Sequence, residues 1–228
     1  MQEQSPPGLP LPDRVYAPPR EPLLIVLHHD RDLLVVDKPS GLLSVPGKHP
    51  RLADCVAARA ALLYPEARIV HRLDMDTSGV MVLALNAAAH RHLGLQFERR
   101  HVSKAYVARV AGHVAQDHGT IDLPLCTDWP NRPRQMVDHE AGRAALTNWR
   151  VLTREEHATR VLLEPQTGRS HQLRVHMREL GHPILGDPLY GTPESQNGAS
   201  RLQLHAESLT VRHPDGGAPT TFTSSCPF

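Results

Sequence analysis

Residues 70–85 read VHRLDMDTSGVMVLAL, and this stretch combines a polar loop with a strand signal. Its second half, residues 80–85, is a continuous apolar run of the length typical of a buried β-strand. Its first half places Asp74 in a loop that ends in a Thr-Ser-Gly turn. Loops on a rigid sheet often hold reactive groups, so Asp74 is a candidate catalytic residue. The same residues allow a purely structural interpretation, in which Asp74 or Asp76 only caps the turn.

The chain on either side of this stretch shows many strand patterns and few helical ones. Short apolar or alternating runs predict strands at residues 23–27, 33–36, 105–110, 143–152, 159–163, 202–205, 208–211 and 220–222. Helical spacing predicts helices at 52–63, at 87–99 behind an Asn86 N-cap, and from a Ser170 N-cap to about residue 180, where Gly181 ends the helix. Because the strands cluster with few helices between them, we predict an α+β fold with a mixed, mostly antiparallel sheet flanked by helices.

The domain organisation is predicted to be simple. A chain of 228 residues suffices for one sizeable domain. Residues 1–22 contain seven prolines and little apolar periodicity, which predicts a flexible proline-rich N-terminal arm. Residues 23–228 are expected to form a single catalytic domain, because we find no internal repeat and no linker in them.

The composition is that of an ordinary globular protein with a net charge of only +1. Residues 90–104 nevertheless hold seven Lys, Arg and His residues against one acid, Glu98, and Arg132 and Arg134 form a second basic stretch. These stretches are either solvated faces or a nucleic-acid surface. No apolar run approaches the roughly 20 residues of a membrane span, and no signal peptide is evident. The three cysteines form no CxxC pair, as expected of reduced thiols in a cytoplasmic protein.

Six motifs together resemble one enzyme family. The segment HRLDMDTSG at residues 71–79 resembles the HRLDxxTSG signature of the RluA family of pseudouridine synthases. In the order found in that family, further motifs are VDKPSGL at 36–42, KAYVA at 104–108, TGRSHQLRVH at 167–176, GHPILGD at 181–187 and RLQLHA at 201–206. The resemblance extends from about residue 23 to residue 212. It implies a pseudouridine synthase fold with a central RNA-binding cleft, and an isomerisation that requires no cofactor and no metal.

The resemblance implies roles for three catalytic residues. Asp74 would be the nucleophile, and the sequence leaves open whether it attacks C1′, attacks C6, or assists elimination. Arg174 matches the position that pairs with this aspartate; a cation there opposes the protonation that burial favours. Tyr106 would stack on the uracil or accept the C5 proton, although a phenol with a pKa of about 10 is a poor base at neutral pH. Taken alone, Arg174 could be a surface charge and Tyr106 a core residue.

Four further residues are expected to bind substrate. Arg72 resembles the residue that fills the space left by a flipped uridine, since a planar guanidinium can stack on bases. Leu204 resembles the apolar wall of the pocket, although core packing is an equally sensible role for it. Arg169 and His171 belong to the 167–176 motif and are assigned to RNA contact.

Segments GLLSVPG at 41–47 and DWPNRP at 128–133 resemble the subgroup of this family that modifies both 23S rRNA and tRNA. The expected partners are therefore a 23S rRNA hairpin and a tRNA anticodon stem-loop, bound by a monomer without a membrane or a metal. The chain also lacks room for the S4-type RNA-binding domain of many relatives. The proline-rich arm and the ending SSCPF at 224–228 depart from the family pattern and bear on peripheral RNA contacts.

Other interpretations were weighed against this one. A protein-kinase loop fails, because no glycine-rich loop or DFG accompanies HRLD. A glycoside hydrolase would need a second working carboxylate, and nothing makes Asp76 a distinct acid. A metal site is disfavoured because His171 and His176 are five residues apart, which is poor ligand spacing on a helix. The main alternative is a catalytically inactive RNA-binding or ribosome-assembly factor of the same fold, which would be expected to lose Asp74, Tyr106 or Arg174.

Overall fold

A computed structural model describes residues 15–228 of the chain. The strands are β1 (Ile25–His29), β2 (Leu33–Lys38), β3 (Arg68–Ile69), β4 (Ser78–Ala84), β5 (Ser103–Ala111), β6 (His118–Asp122), β7 (Leu125–Thr127), β8 (Gln135–Val137), β9 (Leu146–Arg154), β10 (Ala158–Pro165), β11 (Leu204–Arg212) and β12 (Pro219–Thr223). The helices are α1 (Val56–Leu63), α2 (Ala87–Glu98), α3 (Gln172–Glu179) and α4 (Pro193–Asn197), and a 3-10 turn at Pro50–Leu52 precedes α1.

Much of the predicted N-terminal arm, residues 1–22, lies outside the described residues, and the boundary at residue 23 stays a prediction. In the part of the arm that the structure describes, residues 15–22, the Tyr16 hydroxyl donates to the carbonyl of Asp54 at 2.6 Å. None of the helices within residues 15–228 is long and apolar enough to cross a membrane.

Ten strands form one sheet whose main path runs β1-β2-β4-β11-β5-β10-β9-β6. Off this path β3 pairs with β4 and β12 pairs with β11, while β7 and β8 form a separate two-stranded hairpin. β4 and β11 are parallel, and the other ladders between these strands are antiparallel. The predicted α+β class with a mixed, mostly antiparallel sheet is therefore confirmed.

The central strand β4 explains the apolar run at residues 80–85. All of its residues are buried, because helices cover both faces of the sheet at this point. Alternate residues of β2 and β4 pack against α2 on one face and against α1 on the other. A third cluster packs α3 against β5 and β10. A strand buried on both faces needs apolar residues at every position, rather than at every second one.

The glycine of the Thr-Ser-Gly turn is required by the parallel pairing of β4 with β11. This pairing sets Gly79 opposite Ala206. Gly79 has φ +114, and a Cβ at this position would lie 2.2 Å from the carbonyl oxygen of Ala206. Only glycine combines that backbone conformation with so close an approach. The end of the Asp74 loop is thus set by the way β4 enters the sheet.

Several predicted boundaries were wrong. The first helix begins at Val56, because the preceding residues form the 3-10 turn. Ser170 is not an N-cap: α3 begins after His171, which takes a left-handed conformation and makes no capping hydrogen bond. The two strands predicted at 202–205 and 208–211 are one strand, β11, with an irregularity between Ala206 and Ser208. By contrast, Asn86 caps α2 as predicted, accepting from the amide of Ala89 at 2.9 Å.

The sequence interpretation missed β6, β7, β8 and α4. These elements are short, and no long apolar alternation marks them in the sequence. Every residue of α3 from Gln172 to Met177 is buried. Both faces of this helix are covered, so its polar side chains depend on partners inside the protein.

Candidate active site

Asp74 lies in the loop between β3 and β4. A tight turn follows it, because the amide of Thr77 donates to the Asp74 carbonyl at 3.2 Å. The carboxylate remains 29% exposed at the wall of a cleft of about 1410 Å³. This volume exceeds the roughly 300–1,000 Å³ of small-molecule pockets. The site is therefore shaped for part of a larger substrate.

Side chains of the 36–42 motif and of the neighbouring residue Ser44 form hydrogen bonds with the backbone of the Asp74 loop. Three donors bind carbonyls on either side of Asp74: Ser44 Oγ donates to Leu73 O at 2.7 Å, Lys38 Nζ to Met75 O at 2.8 Å and Ser40 Oγ to Asp76 O at 2.7 Å. Lys38 also donates to the carbonyls of Pro39 and Leu42. Burial lowers the pKa of Lys38 to about 7. These bonds fix the loop backbone and hence the direction of the Asp74 side chain.

Arg174 approaches Asp74, but another carboxylate holds it more tightly. Its Nη1 lies 3.6 Å from Asp74 Oδ2. Its Nε and Nη2 donate to the two oxygens of Asp187 at 2.8 and 2.7 Å. The predicted pairing with Asp74 is thus a looser contact, and the hydrogen-bonded partner of Arg174 is Asp187. A guanidinium held in a fork keeps a fixed direction.

Asp187 is fully buried and also accepts from the amides of Leu189 and Tyr190. Burial alone would raise the pKa of Asp187, but the hydrogen bonds and charge of Arg174 outweigh it and keep that pKa below its ordinary value. Burial likewise opposes the charge of Arg174, and the Asp187 contacts raise the pKa of the guanidinium above its ordinary value. The site therefore contains a permanent cation beside Asp74.

Tyr106 and Leu204 lie on adjacent strands, β5 and β11, and both line the cleft. Burial, reinforced by the charge of Asp74, raises the pKa of Tyr106 above its ordinary value. The phenol thus stays protonated at neutral pH. Leu204 is buried within the cluster beneath α3 and also lines the cleft. It combines the two roles that the sequence left open.

The cleft has a cationic lining drawn from distant parts of the chain. Its cationic residues are Arg72, Arg100, Lys104, Arg132, Arg143, Arg169 and Arg174. Arg72 is exposed, and Arg169 is tethered through its Nε to the carbonyl of Ala144 at 3.1 Å. Of the seven basic residues between positions 90 and 104, only Arg100 and Lys104 line the cleft. The stretch therefore contributes two cations to the cleft, and its other basic residues lie outside the cleft lining.

His171 lines the same cleft, with its Nε2 4.0 Å from Asp74 Oδ1. His176, the other histidine of that motif, is fully buried and contacts Thr147 and the carbonyl of Leu123. Within residues 15–228 no three His, Cys, Asp or Glu side chains converge in the way that a metal site requires.

The structure thus brings the seven predicted site residues to one cleft, and it adds three that the sequence interpretation missed. These are Lys38, Asp187 and Tyr190. Lys38 and Asp187 stand inside quoted motifs, so a signal was present, but no spacing rule links either residue to Asp74. Tyr190, whose hydroxyl lies 2.6 Å from His171 Nδ1, follows the 181–187 motif closely. Such partnerships become visible only when the chain is folded.

The chain was compared with known families and structures. Residues 32–179 match the model of the RNA pseudouridylate synthase family. A relative from Yersinia pestis, named dual-specificity RNA pseudouridine synthase RluA, is 55% identical over 90% of this chain and 100% of its own length. The protein of the same name from Escherichia coli K12 is 53% identical over 93% of this chain and 98% of its own. The solved structure of human RNA pseudouridylate synthase domain containing 1 matches with a TM-score of 0.76 and 30% identity, over 96% of this chain and 87% of that one.

Proposed function

The chain belongs to the RNA pseudouridylate synthase family, and we propose that it isomerises uridines in 23S rRNA and in the anticodon stem-loop of tRNA, with Asp74 as its nucleophile. The dual-specificity relatives, which match nearly the whole chain, support the choice of substrates. Within the matched region, the motifs GLLSVPG at 41–47 and DWPNRP at 128–133 resemble the same dual-specificity subgroup. We further propose that the protein acts as a monomer in the cytoplasm, where rRNA and tRNA are found.

The reaction breaks the N1–C1′ bond of a uridine, turns the base, and joins C5 to C1′. The proton on C5 is lost and N1 gains one, so atoms and charge balance without a redox step. Asp74 supplies the nucleophile, by attack on C1′ or C6 or by assisting elimination. Arg174 places a fixed positive charge 3.6 Å from that carboxylate. Tyr106 stacks on the uracil, since a phenol with a raised pKa is not a base at neutral pH.

One observation supports this proposal above all. Asp74 is partly exposed in a large cationic cleft, with Arg174 Nη1 3.6 Å from one of its oxygens. Tyr106 lines the same cleft. A carboxylate that served only to cap a turn would not need a cation anchored by a second carboxylate. The same constellation argues against an inactive RNA-binding factor, because such a protein would have no reason to retain it.

The target uridine must leave its stack before it can reach Asp74, at a cost of roughly a few kcal/mol. Arg72 stands two residues before Asp74 and is exposed in the cleft. We assign it to the space that the uridine vacates, where its planar guanidinium stacks on neighbouring bases. Apart from Arg174, which pairs with Asp187 and faces Asp74, we assign the other cations of the cleft, among them Arg169, to phosphate contacts. A compact domain reads a short stem-loop by its shape and its unpaired bases.

The decisive experiment incubates purified protein with an anticodon stem-loop, the matching rRNA hairpin and a scrambled loop, and maps pseudouridine in each product. We expect the first two RNAs to be modified and the scrambled loop to be spared. Asp74→Asn should abolish modification while RNA affinity stays within about tenfold, since binding is spread over many cations. Turnover by a verified Asp74→Asn preparation would disprove the nucleophile. Modification of the rRNA hairpin alone would disprove the dual specificity.

A further inference from the structure

His171 is held in an unusual backbone conformation that directs it into the cleft. Its φ of 54 and ψ of 16 lie in the left-handed region immediately before α3. Only a few per cent of residues other than glycine adopt this conformation, and it persists where surrounding contacts enforce it. Here the imidazole Nε2 reaches to 4.0 Å from Asp74 Oδ1. The other carboxylate oxygen, Oδ2, faces Arg174 at 3.6 Å.

The far side of the His171 ring contacts a buried hydroxyl. His171 Nδ1 lies 2.6 Å from the hydroxyl oxygen of Tyr190. That oxygen also accepts from the backbone amide of Gln135, at 2.7 Å. An amide N–H can only donate, so it occupies one acceptor position of the hydroxyl. The hydroxyl hydrogen must therefore find a different atom.

Among residues 15–228, the Tyr190 hydroxyl is hydrogen-bonded to Gln135 N and to His171 Nδ1, and of these two atoms only Nδ1 can accept. A buried hydroxyl rarely leaves its hydrogen without a partner. Tyr190 therefore donates to Nδ1, and the hydrogen of a neutral His171 ring resides on Nε2, the atom that faces Asp74. Burial raises the pKa of Tyr190 to about 12, which keeps the phenol a donor. Burial also lowers the pKa of His171, which favours the neutral ring.

We propose that Tyr190 and His171 are positioning residues of the active site, in which the Tyr190 hydroxyl holds His171 as the Nε2–H tautomer and so aims an N–H at Asp74. This inference rests on the proposed role of Asp74. The carboxylate then has one fixed donor group facing each oxygen, from His171 and from Arg174. Both lie beyond hydrogen-bond distance, so they orient the carboxylate and leave its lone pairs open to the substrate.

Tyr190 supports both flanks of the carboxylate. Its ring lies beneath the Arg174 guanidinium, with 5.1 Å between the guanidinium carbon and the ring centroid. Its hydroxyl connects His171 to Gln135, the first residue of β8. Loss of the hydroxyl should therefore change the His171 side without removing the aromatic support of Arg174. This separation makes Tyr190→Phe an informative variant.

The tautomer can be read without any reaction. Nitrogen-15 spectra of the imidazole groups in the RNA-free protein distinguish Nδ1–H from Nε2–H rings, and the His171 signals are identified by their loss in His171→Gln. We expect Nε2–H in the wild type and a mixture of tautomers in Tyr190→Phe. A wild-type ring protonated on Nδ1 would overturn the proposal. Because RNA is absent, this result does not depend on whether Asp74 is the nucleophile.

Kinetics provide the second arm. Tyr190→Phe should lower the single-turnover rate by about 10- to 100-fold, as loss of a residue that fixes a histidine tautomer commonly does, with RNA affinity within about twofold. His171→Gln places an amide N–H near the position of Nε2, whereas His171→Asn places one near Nδ1. We expect the Gln variant to be at least fivefold faster than the Asn variant. Equal rates in the two variants, or an unchanged rate in Tyr190→Phe, would contradict the assignment.

Discussion

Arg174 turns two of its guanidinium nitrogens toward Asp187, at 2.7 and 2.8 Å. Its remaining terminal nitrogen faces Asp74 at 3.6 Å. Asp187 therefore fixes the position of the Arg174 guanidinium. Asp74 interacts with the positive charge of Arg174 without forming a full hydrogen bond. This division suits the nucleophilic role that we propose for Asp74, because a tighter bond would occupy the lone pairs that the substrate needs.

We predict that Asp187→Asn lowers both stability and activity. The amide keeps the shape of the carboxylate but removes the hydrogen-bonded counter-charge of Arg174, in a site where only 3% of the Arg174 side chain is exposed. Breaking a buried ion pair typically costs about 3–5 kcal/mol, so urea unfolding should show a loss of this order. The matched control is Asp117→Asn, since Asp117 pairs with Arg154 at 2.7 Å but is 81% exposed. That change should cost less than about 1 kcal/mol.

Arg72→Ala is expected to slow the modification of a folded stem-loop far more than it weakens binding. An arginine that fills a vacated stack matters only when the substrate has a stack to disrupt. The test compares single-turnover rates and affinities on a stem-loop and on an unstructured strand with the same target uridine. Arg68→Ala is the control, because Arg68 is similarly exposed and pairs with Glu66 at 3.5 Å. Equal rate losses on both RNAs would contradict the stacking role.

We predict that RNA affinity depends on pH through the charge of Lys104. Burial, with the neighbouring charge of Arg100, lowers the pKa of Lys104 to about 8. The ammonium is charged below that pH and neutral above it, so affinity should fall as pH rises from 7 to 9. The affinity should fall about fivefold. This is the change that corresponds to ~1 kcal/mol, the interaction energy of two unit charges about 4 Å apart in water.

Two variants test the origin of this pH dependence. Lys104→Arg should bind as well at pH 9 as at pH 7, because arginine stays charged. Lys104→Gln should bind weakly at both values and match the wild type at pH 9. The exposed Lys48 provides the control, and Lys48→Gln should keep the wild-type slope. A wild-type slope in Lys104→Gln would show that another group is responsible.

Trp129 should report RNA binding directly. It is 67% exposed in the loop between β7 and β8, and the guanidinium carbon of Arg132 lies 3.4 Å above its ring. Arg132 lines the cleft, so an unpaired base can stack on this pair. Stacking on an aromatic side chain contributes about 1–3 kcal/mol per base, and Trp129→Ala should therefore weaken binding by roughly tenfold.

Fluorescence tests this arrangement because the chain has only two tryptophans. Trp149, the other, is 5% exposed. We expect RNA to quench the emission of the wild type and of Trp149→Phe, and to leave that of Trp129→Phe unchanged. Quenching that survives in Trp129→Phe would place the RNA elsewhere.

The features predicted from the sequence were those encoded locally. The apolar run at residues 80–85 predicted a buried strand, because burial on both faces leaves no polar position. Asn86 predicted the start of α2, since an N-cap acts within three residues. The motifs predicted which side chains meet at the cleft, because members of one family place equivalent motif residues at equivalent positions of the fold. Ser170 was predicted wrongly because local signals do not decide every helix start. A serine is a favourable N-cap residue, yet α3 begins after His171.

By itself, then, the sequence determined the family, the class of fold and the loop in which we place the nucleophile. Only the tertiary structure decided which groups control that loop. Arg174 binds Asp187 more tightly than Asp74, and Lys38 reaches the carbonyl of Met75 across 37 positions of the chain. A hydrogen bond forms with whichever acceptor lies within about 3 Å in space. Within a helix or a turn, the spacing of two residues in the sequence indicates whether they can form such a bond. Between residues on different elements, the spacing does not indicate it.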